Sequence, residues 1–168
     1  MKIAGLQKVT LIDYPDRIAA TVFLAGCNLD CGYCYNRWMI AAADAPEALS
    51  VDAFLAWLET RVGKLDGVCV SGGEPTLAPD LPELLRAIKG LGFAVKLDTN
   101  GTRPDVLEAL LDAGLIDHVA VDIKAPLVES ANGFPRLRAQ RVRHVEEPGG
   151  YAIPRQGGSR GLPGGCGG

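Results

Sequence analysis

The sequence lacks several features that identify common classes of site and compartment. It has only two histidines, and its five cysteines are an odd number that argues against a disulfide framework. No apolar run approaches the length of a membrane span, and a net charge of −3 gives no reason to expect a nucleic-acid surface. Nothing at the N-terminus is typical of a secretory signal. We therefore expect a cytoplasmic protein that binds neither a membrane nor a nucleic acid.

Three cysteines are concentrated on one short stretch. Cys27, Cys31 and Cys34 have the spacing C-x3-C-x2-C and come directly after the apolar run 18–24. Cysteine thiolates are the usual ligands of zinc and of iron–sulfur clusters. A [4Fe–4S] cube needs four ligands, so three thiolates would leave one iron open to a ligand from outside the protein. Structural zinc sites usually have a second pair of ligands, which is not apparent here, so the iron–sulfur interpretation is favoured. Zinc and unligated thiols remain open alternatives.

The chain alternates predicted strands with predicted helices. Its 168 residues, 48% of them apolar, are enough for one domain with a sizeable core. Apolar, β-branched runs predict buried strands at 18–24, 68–71, 93–97 and 118–123. Helical spacing and start signals predict helices at about 51–62, capped by Ser50, at about 81–91, capped by Asp80, and at about 104–114. The alternation predicts an α/β fold with a parallel sheet, in which Cys69 is a small core residue.

Polar or glycine-rich residues follow each predicted strand. The three cysteines follow the first strand and Gly72-Gly73-Glu74 the second, while Asp98-Thr99-Asn100 ends the third and Asp122 and Lys124 the fourth. Two adjacent glycines would let the backbone approach a small molecule, although simple turn chemistry is the alternative. Because ligands bind beyond the carboxyl ends of parallel strands, these groups predict one site at one rim.

The motif CNLDCGYC resembles the cysteine motif of the radical S-adenosylmethionine (radical SAM) superfamily, in which the cofactor's methionine part binds the fourth iron. Together with LIDYP, SGGEP and LDTNG followed by DIKAP, it makes residues 1–127 similar to the activating proteins of anaerobic ribonucleoside-triphosphate reductase. The resemblance implies a partial (β/α) TIM-like barrel over residues 1–128, with about four βα units. It also implies a [4Fe–4S] cluster and S-adenosylmethionine as cofactors.

The same resemblance implies roles for the motif residues and no catalytic residue beyond those that hold the cofactors. The cluster would be held by Cys27, Cys31 and Cys34. The S-adenosylmethionine would be bound by residues from all four strand ends: Tyr33, Gly72, Gly73, Glu74, Asp98, Thr99, Asn100, Asp122 and Lys124.

Within that set, the resemblance places Tyr33 against the adenine, and Gly72, Gly73 and Glu74 at the methionine amino group. Asp98 and Asp122 would flank a monovalent cation near the sulfonium, with Lys124 on the carboxylate. One departure is Tyr35, where this branch commonly has histidine. It bears on the surroundings of the cofactors and leaves the cluster ligands unaffected.

In the activating proteins, the reduced cluster cleaves the cofactor, and the resulting 5′-deoxyadenosyl radical takes hydrogen from a glycine of the reductase. A flavodoxin- or ferredoxin-type protein would donate the electron. One alternative is a radical SAM enzyme that acts on a small metabolite, similar to 7-carboxy-7-deazaguanine synthase. The other is a non-catalytic, cluster-binding fragment. The LIDYP and LDTNG…DIKAP segments favour the activating branch.

Residues 129–168 have a different composition from the rest of the chain. They contain ten glycines and six arginines but no lysine, and their net charge is +3, against −6 for residues 1–128. The absence of any apolar period predicts a disordered tail. Because the family's barrel usually has six βα units, we expect a truncated or frameshifted reading of a longer gene.

Overall fold

The computed structural model describes residues 1–124. Within them the chain forms five strands and three α-helices, with short 3-10 turns at Arg37–Met39 and Pro75–Leu77. In chain order the strands and helices are β1 (Ile3–Thr10), β2 (Ala19–Leu24), α1 (Val51–Glu59), β3 (Gly67–Gly72), α2 (Leu81–Gly90), β4 (Ala94–Thr99), α3 (Pro104–Asp112) and β5 (His118–Val121).

The five strands form one sheet in which they follow each other in chain order. The strands β2, β3, β4 and β5 are parallel, and β1 pairs antiparallel with β2 at one edge. Sequential parallel strands joined by right-handed crossovers place their helices on the same face, which is the arrangement of a βα barrel. The predicted α/β fold with a partial barrel is therefore confirmed. The strand β1 was not predicted, and any helix after β5 lies outside the described residues.

The apolar core lies on the face of the sheet that carries the helices. Alternate residues of the parallel strands point there, including Val22, Val70 and Leu97, none of which is exposed. The helices contribute Phe54, Leu58, Leu81, Leu84, Leu85, Ile88 and Leu110 to the same cluster. Full burial of each large apolar side chain contributes about 1.5–3 kcal/mol to stability. With the core on this outer face, the inner face and the strand ends can carry polar groups.

The inner face of the sheet carries a row of such groups. The residues Thr21, Cys69, Lys96 and His118 are register partners across the four parallel strands. Cys69 is buried, as predicted, but its surroundings are polar, because its thiol donates a 3.2 Å hydrogen bond to Asp98 Oδ2. The prediction that Cys69 is a small buried residue is confirmed, and the structure adds that its thiol has a polar partner.

The two predicted helix caps have different outcomes. The Ser50 hydroxyl accepts a 3.2 Å hydrogen bond from the Ala53 amide, so the predicted cap of α1 is confirmed. Asp80 occupies the N-cap position of α2 but its side chain makes no capping hydrogen bond. Its carboxylate instead binds the Met1 ammonium group, which holds the pKa of Asp80 below its usual value.

Two further expectations concern the C-terminal tail and a membrane span. The predicted disordered tail, residues 129–168, lies outside the described residues. Within residues 1–124, no helix has both the length and the apolar character that crossing a membrane requires.

Candidate active site

The three cysteines line one pocket at the carboxyl ends of the parallel strands. This pocket has a volume of about 360 Å³ and is bordered by Cys27, Leu29, Cys31, Tyr33, Cys34, Tyr35, Asn36, Met39, Ile40, Gly72, Gly73, Asn100 and Lys124. All three thiols are free and partly exposed. The structure therefore brings the predicted cluster ligands together with five of the nine residues predicted to bind the cofactor.

Backbone hydrogen bonds hold the two ends of the cysteine loop. The Gly26 and Cys27 amides donate to the carbonyls of Met39 and Ile40 at 2.8 and 2.9 Å. Further along, the Cys34 amide donates to the Cys31 carbonyl at 2.9 Å, which forms a tight turn between two of the thiols. These bonds fix the chain on both sides of the thiols.

The electrostatic surroundings of Cys27 favour the protonated thiol. Burial raises the pKa of Cys27, and the nearby Glu74 carboxylate and the other two thiols raise it further. The Leu29 amide, which donates to Cys27 Sγ at 3.5 Å, acts in the opposite direction. A positively charged group in the pocket would stabilise the thiolate, since thiolate is the form that ligates metal.

The three thiols border the space that a cluster would occupy. Among residues 1–124, no group of three His, Cys, Asp or Glu side chains converges closely enough to hold one metal ion. In a [4Fe–4S] cube each cysteine binds a different iron, so the thiols need only surround a common space. Three free thiols around one pocket meet that requirement.

The two glycines at the end of β3, Gly72 and Gly73, are required by close backbone packing. A Cβ atom at Gly72 would lie 2.2 Å from the Leu24 carbonyl oxygen, and one at Gly73 would lie 2.1 Å from the Gly26 carbonyl oxygen. Gly72 also has a φ of 125°, a conformation that other residues rarely adopt. We expected these glycines to admit a small molecule. The structure shows in addition that they let β3 approach the start of the cysteine loop.

Glu74 is buried behind the pocket and does not border it. Glu74 is 2% exposed. Its carboxylate accepts hydrogen bonds from the Thr76 backbone amide, from the Thr76 and Thr99 hydroxyls and from the Asn100 backbone amide. The last of these joins the end of β3 to the end of β4 at 2.6 Å. The position of Glu74 gives it a structural task, while its predicted role at the methionine amino group stays a prediction.

Asp98 lies on the inner face of the sheet, away from the pocket lining. Its carboxylate pairs with the ammonium of Lys96, which is 7% exposed, and accepts a hydrogen bond from the Cys69 thiol. Burial and the neighbouring Asp98 carboxylate raise the pKa of Cys69 to about 12, so this thiol stays protonated. The sequence did not single out Lys96, although a lysine inside a predicted buried strand is itself a signal of a polar partner.

Lys124 lies at the pocket and has two neighbours that were predicted with it. Its ammonium pairs with the Asp122 carboxylate, which raises the pKa of Lys124, and it lies 5.7 Å from the centre of the Tyr33 ring. Asp122 does not border the pocket itself. With an ammonium partner at both Asp98 and Asp122, a monovalent cation there would compete with Lys96 and Lys124.

The end of β4 contributes a set of contacts that the sequence analysis missed. Thr99 does not border the pocket, because its hydroxyl points to Glu74, whereas Asn100 borders it and is 7% exposed. Asn100 contacts two residues that were not predicted, Asn28 of the cysteine loop and Thr102. The separation between positions 28 and 100 explains why no local pattern indicated this contact.

Two of the curated proteins that resemble this chain have different named functions. A "Putative glycyl-radical enzyme activating enzyme" of Methanocaldococcus jannaschii is 40% identical over 124 residues, which are 73% of this chain and 50% of that protein. The 7-carboxy-7-deazaguanine synthase of Neisseria meningitidis is 32% identical over 107 residues, 64% of this chain and 44% of the synthase. The chain thus spans about half the length of the curated relatives it matches.

Among solved structures, QueE from Escherichia coli matches with a TM-score of 0.48 and 22% identity, over 60% of this chain and 52% of that one. The model of the Radical SAM superfamily matches residues 21–147, which include the three cysteines, the glycine pair and the ends of β4 and β5. The chain therefore belongs to the radical SAM superfamily.

Proposed function

We propose that this protein is a cytoplasmic radical SAM enzyme that installs a glycyl radical on anaerobic ribonucleoside-triphosphate reductase. Membership of the superfamily implies a [4Fe–4S] cluster and S-adenosylmethionine as cofactors. The relative from M. jannaschii, which carries the name of a glycyl-radical enzyme activating enzyme, supports the branch. The reductase itself, and a flavodoxin- or ferredoxin-type electron donor, are part of the proposal.

The observation that carries the proposal is the shared pocket of the three free thiols, Tyr33, the glycine pair and Lys124. When bound, the cluster and S-adenosylmethionine supply one-electron cleavage of the cofactor to a 5′-deoxyadenosyl radical. The protein's own task is to bind, orient and exclude water. Cys27, Cys31 and Cys34 would hold the cluster.

The remaining roles are those that the family resemblance implies, and charge and shape around the pocket support them. The Lys124 ammonium, kept charged by Asp122, would bind the cofactor carboxylate, and the ring of Tyr33 beside it would lie against the adenine. Backbone groups of Gly72 and Gly73 border the pocket and would receive the methionine amino end. The monovalent cation predicted beside Asp98 stays a prediction. It would have to compete with the Lys96 ammonium, which already neutralises the Asp98 carboxylate.

Anaerobic reconstitution tests the cofactors first. We expect about four irons per chain, an iron–sulfur absorbance that bleaches in air, and a spectrum that changes when S-adenosylmethionine is added. Alanine at Cys27, Cys31 or Cys34 should abolish the cluster, whereas alanine at Cys69 or Cys166 should leave it in place. Stoichiometric, tightly held zinc without iron uptake would contradict the proposal.

Activity then separates two candidate substrates. With reductant and S-adenosylmethionine, formation of 5′-deoxyadenosine together with a glycyl-radical resonance on the reductase would support the activating function. The 32% identity to a 7-carboxy-7-deazaguanine synthase favours a second candidate, an enzyme that acts on a small metabolite. Turnover of the synthase substrate, with no radical on the reductase, would identify that function instead.

A further inference from the structure

A closed ring of three side-chain hydrogen bonds joins the cysteine loop to the end of β4. The Asn28 amide group donates to the Thr102 hydroxyl at 2.8 Å, and the Thr102 hydroxyl donates to Asn100 Oδ1 at 2.7 Å. The Asn100 amide group donates to Asn28 Oδ1 at 3.0 Å and completes the ring. Asn28 is the residue directly after Cys27, so the ring acts on the chain next to a predicted cluster ligand.

The orientation of the Asn100 side chain is fixed by a neighbouring backbone group. The Thr102 amide donates to Asn100 Oδ1 at 3.0 Å, and a backbone amide can only donate. The oxygen of the Asn100 side chain must therefore face Thr102, which leaves its NH₂ group to face Asn28. The ring consequently has one direction, in which each of the three side chains donates to one neighbour and accepts from the other.

The ring is also anchored to the buried part of the rim. The Asn100 backbone amide donates to Glu74 Oε2 at 2.6 Å, and Glu74 is 2% exposed. A path of hydrogen bonds therefore runs from the loop residue Asn28, through Asn100, to the carboxylate that joins the ends of β3 and β4. Movement of the cysteine loop away from this rim would break the ring.

The ring changes the role expected of Asn100. Its side-chain oxygen accepts two hydrogen bonds from Thr102, and its NH₂ group is bonded to Asn28. A cofactor that took the Asn100 oxygen as a partner would have to displace Thr102. The contacts thus fit a residue that holds the loop more closely than one whose oxygen faces a ligand.

We propose that Asn28 and Thr102 are positioning residues, which act with Asn100 to keep the cysteine loop where its three thiols face the pocket. The inference rests on the proposed function, in which those thiols hold the cluster. Loss of the ring would let the loop leave the rim more often, so the thiols would become more reactive and the cluster more easily lost. Neither Asn28 nor Thr102 would touch the cluster.

The test uses the full chain and two measurements. In the metal-free protein, alkylation rates of the loop thiols report on loop mobility. In the reconstituted protein, the rate of iron release to a chelator reports on cluster retention. The variants are Thr102→Val, which keeps the shape but removes the hydroxyl, Asn28→Ala, and Thr102→Ser, which keeps the hydroxyl. Thr60→Val is the matched control, because the same substitution there removes a 2.7 Å hydrogen bond from a threonine hydroxyl to the Trp57 carbonyl, at the end of α1 and outside the ring.

We expect Thr102→Val and Asn28→Ala to raise both rates by about twofold to tenfold, the factor that one lost hydrogen bond allows. Thr102→Ser and Thr60→Val should match the unmodified protein, and all four should unfold at similar urea concentrations. Rates unchanged in both Thr102→Val and Asn28→Ala would overturn the inference. A wild-type chain that takes up no iron would defeat the proposed function separately, and the alkylation rates would still decide whether the ring holds the loop.

Discussion

Replacement of Gly73 by alanine tests the close packing between β3 and the cysteine loop. The added Cβ would lie 2.1 Å from the Gly26 carbonyl oxygen, 2.6 Å from the Gly26 carbonyl carbon and 3.1 Å from Cys27 Cβ. Ordinary contacts between such atoms need more than 3 Å, so the two backbones would have to separate by roughly 1 Å. The same Gly26 oxygen accepts the Glu74 amide at 2.8 Å, and this hydrogen bond would be strained as well.

The expected loss of stability is about 2–4 kcal/mol, since overpacking typically costs about 1–3 kcal/mol and a weakened buried hydrogen bond about 1 kcal/mol more. For a chain of this length the loss corresponds to a fall of roughly 5–15 °C in the melting temperature. Urea and thermal unfolding of the metal-free protein measure it directly. Because Cys27 would also move, iron uptake should fall in parallel.

Gly32→Ala is the matched control for this prediction. Gly32 lies inside the cysteine loop, but a Cβ there would meet nothing within 4 Å. The free energy of unfolding of the Gly32→Ala variant should stay within about 0.5 kcal/mol of that of the unmodified protein. An unchanged midpoint for Gly73→Ala, with normal iron uptake, would refute the argument that this glycine is required by backbone contact.

Three further predictions follow from single side chains. Glu74→Gln should destabilise the chain by about 1–3 kcal/mol in urea unfolding, because an NH₂ group would replace one carboxylate oxygen and would face a donor such as the Asn100 backbone amide. The control Glu83→Gln, at an exposed position, should change the stability little. Since the pKa of Cys69 is raised from 9.0 to about 12 on folding, its contribution to stability is full below pH 9.0 and is lost as pH rises towards 12. Cys69→Ala should flatten that part of the stability curve, and an equally steep curve in the variant would contradict the assignment. Lys124→Gln should weaken S-adenosylmethionine binding about tenfold in anaerobic calorimetry, whereas Lys64→Gln, away from the pocket, should bind as the unmodified protein does.

The sequence predicted the parallel part of the fold well because its signals are local. Apolar runs lie close to the observed strands β2 to β5, and the helix that starts after Ser50 begins as predicted at Val51, although it ends at Glu59 and not near Val62. The strand β1 was missed because its apolar start, Ile3, is followed by Gly5 and by exposed polar residues that hide any alternation. The partner of β1 is β2, in which Leu24 pairs with Ile3 and Val22 with Leu6, and such pairing between distant positions is invisible in a local pattern.

The site was predicted in outline for the same reason. Each motif follows a strand, so parallel topology alone brings the cysteines, Gly73 and Lys124 to one pocket. Lys96 and Asp98 are two positions apart on β4, so strand spacing puts them on one face, but it does not tell which face is the inner one. The hydrogen bonds that the Glu74 carboxylate accepts come from residues up to 26 positions away, and no spacing rule gives them.

The buried carboxylate between β3 and β4 has a consequence for how a ligand would be received. Glu74 satisfies the donors at both strand ends from within the protein, through Thr76, Thr99 and the Asn100 amide. The rim is therefore preorganised, and a cofactor that arrived there would not have to spend binding free energy on ordering these strand ends. Its affinity would then depend mainly on the direct contacts that it made, and these strand ends should keep the same conformation with and without it.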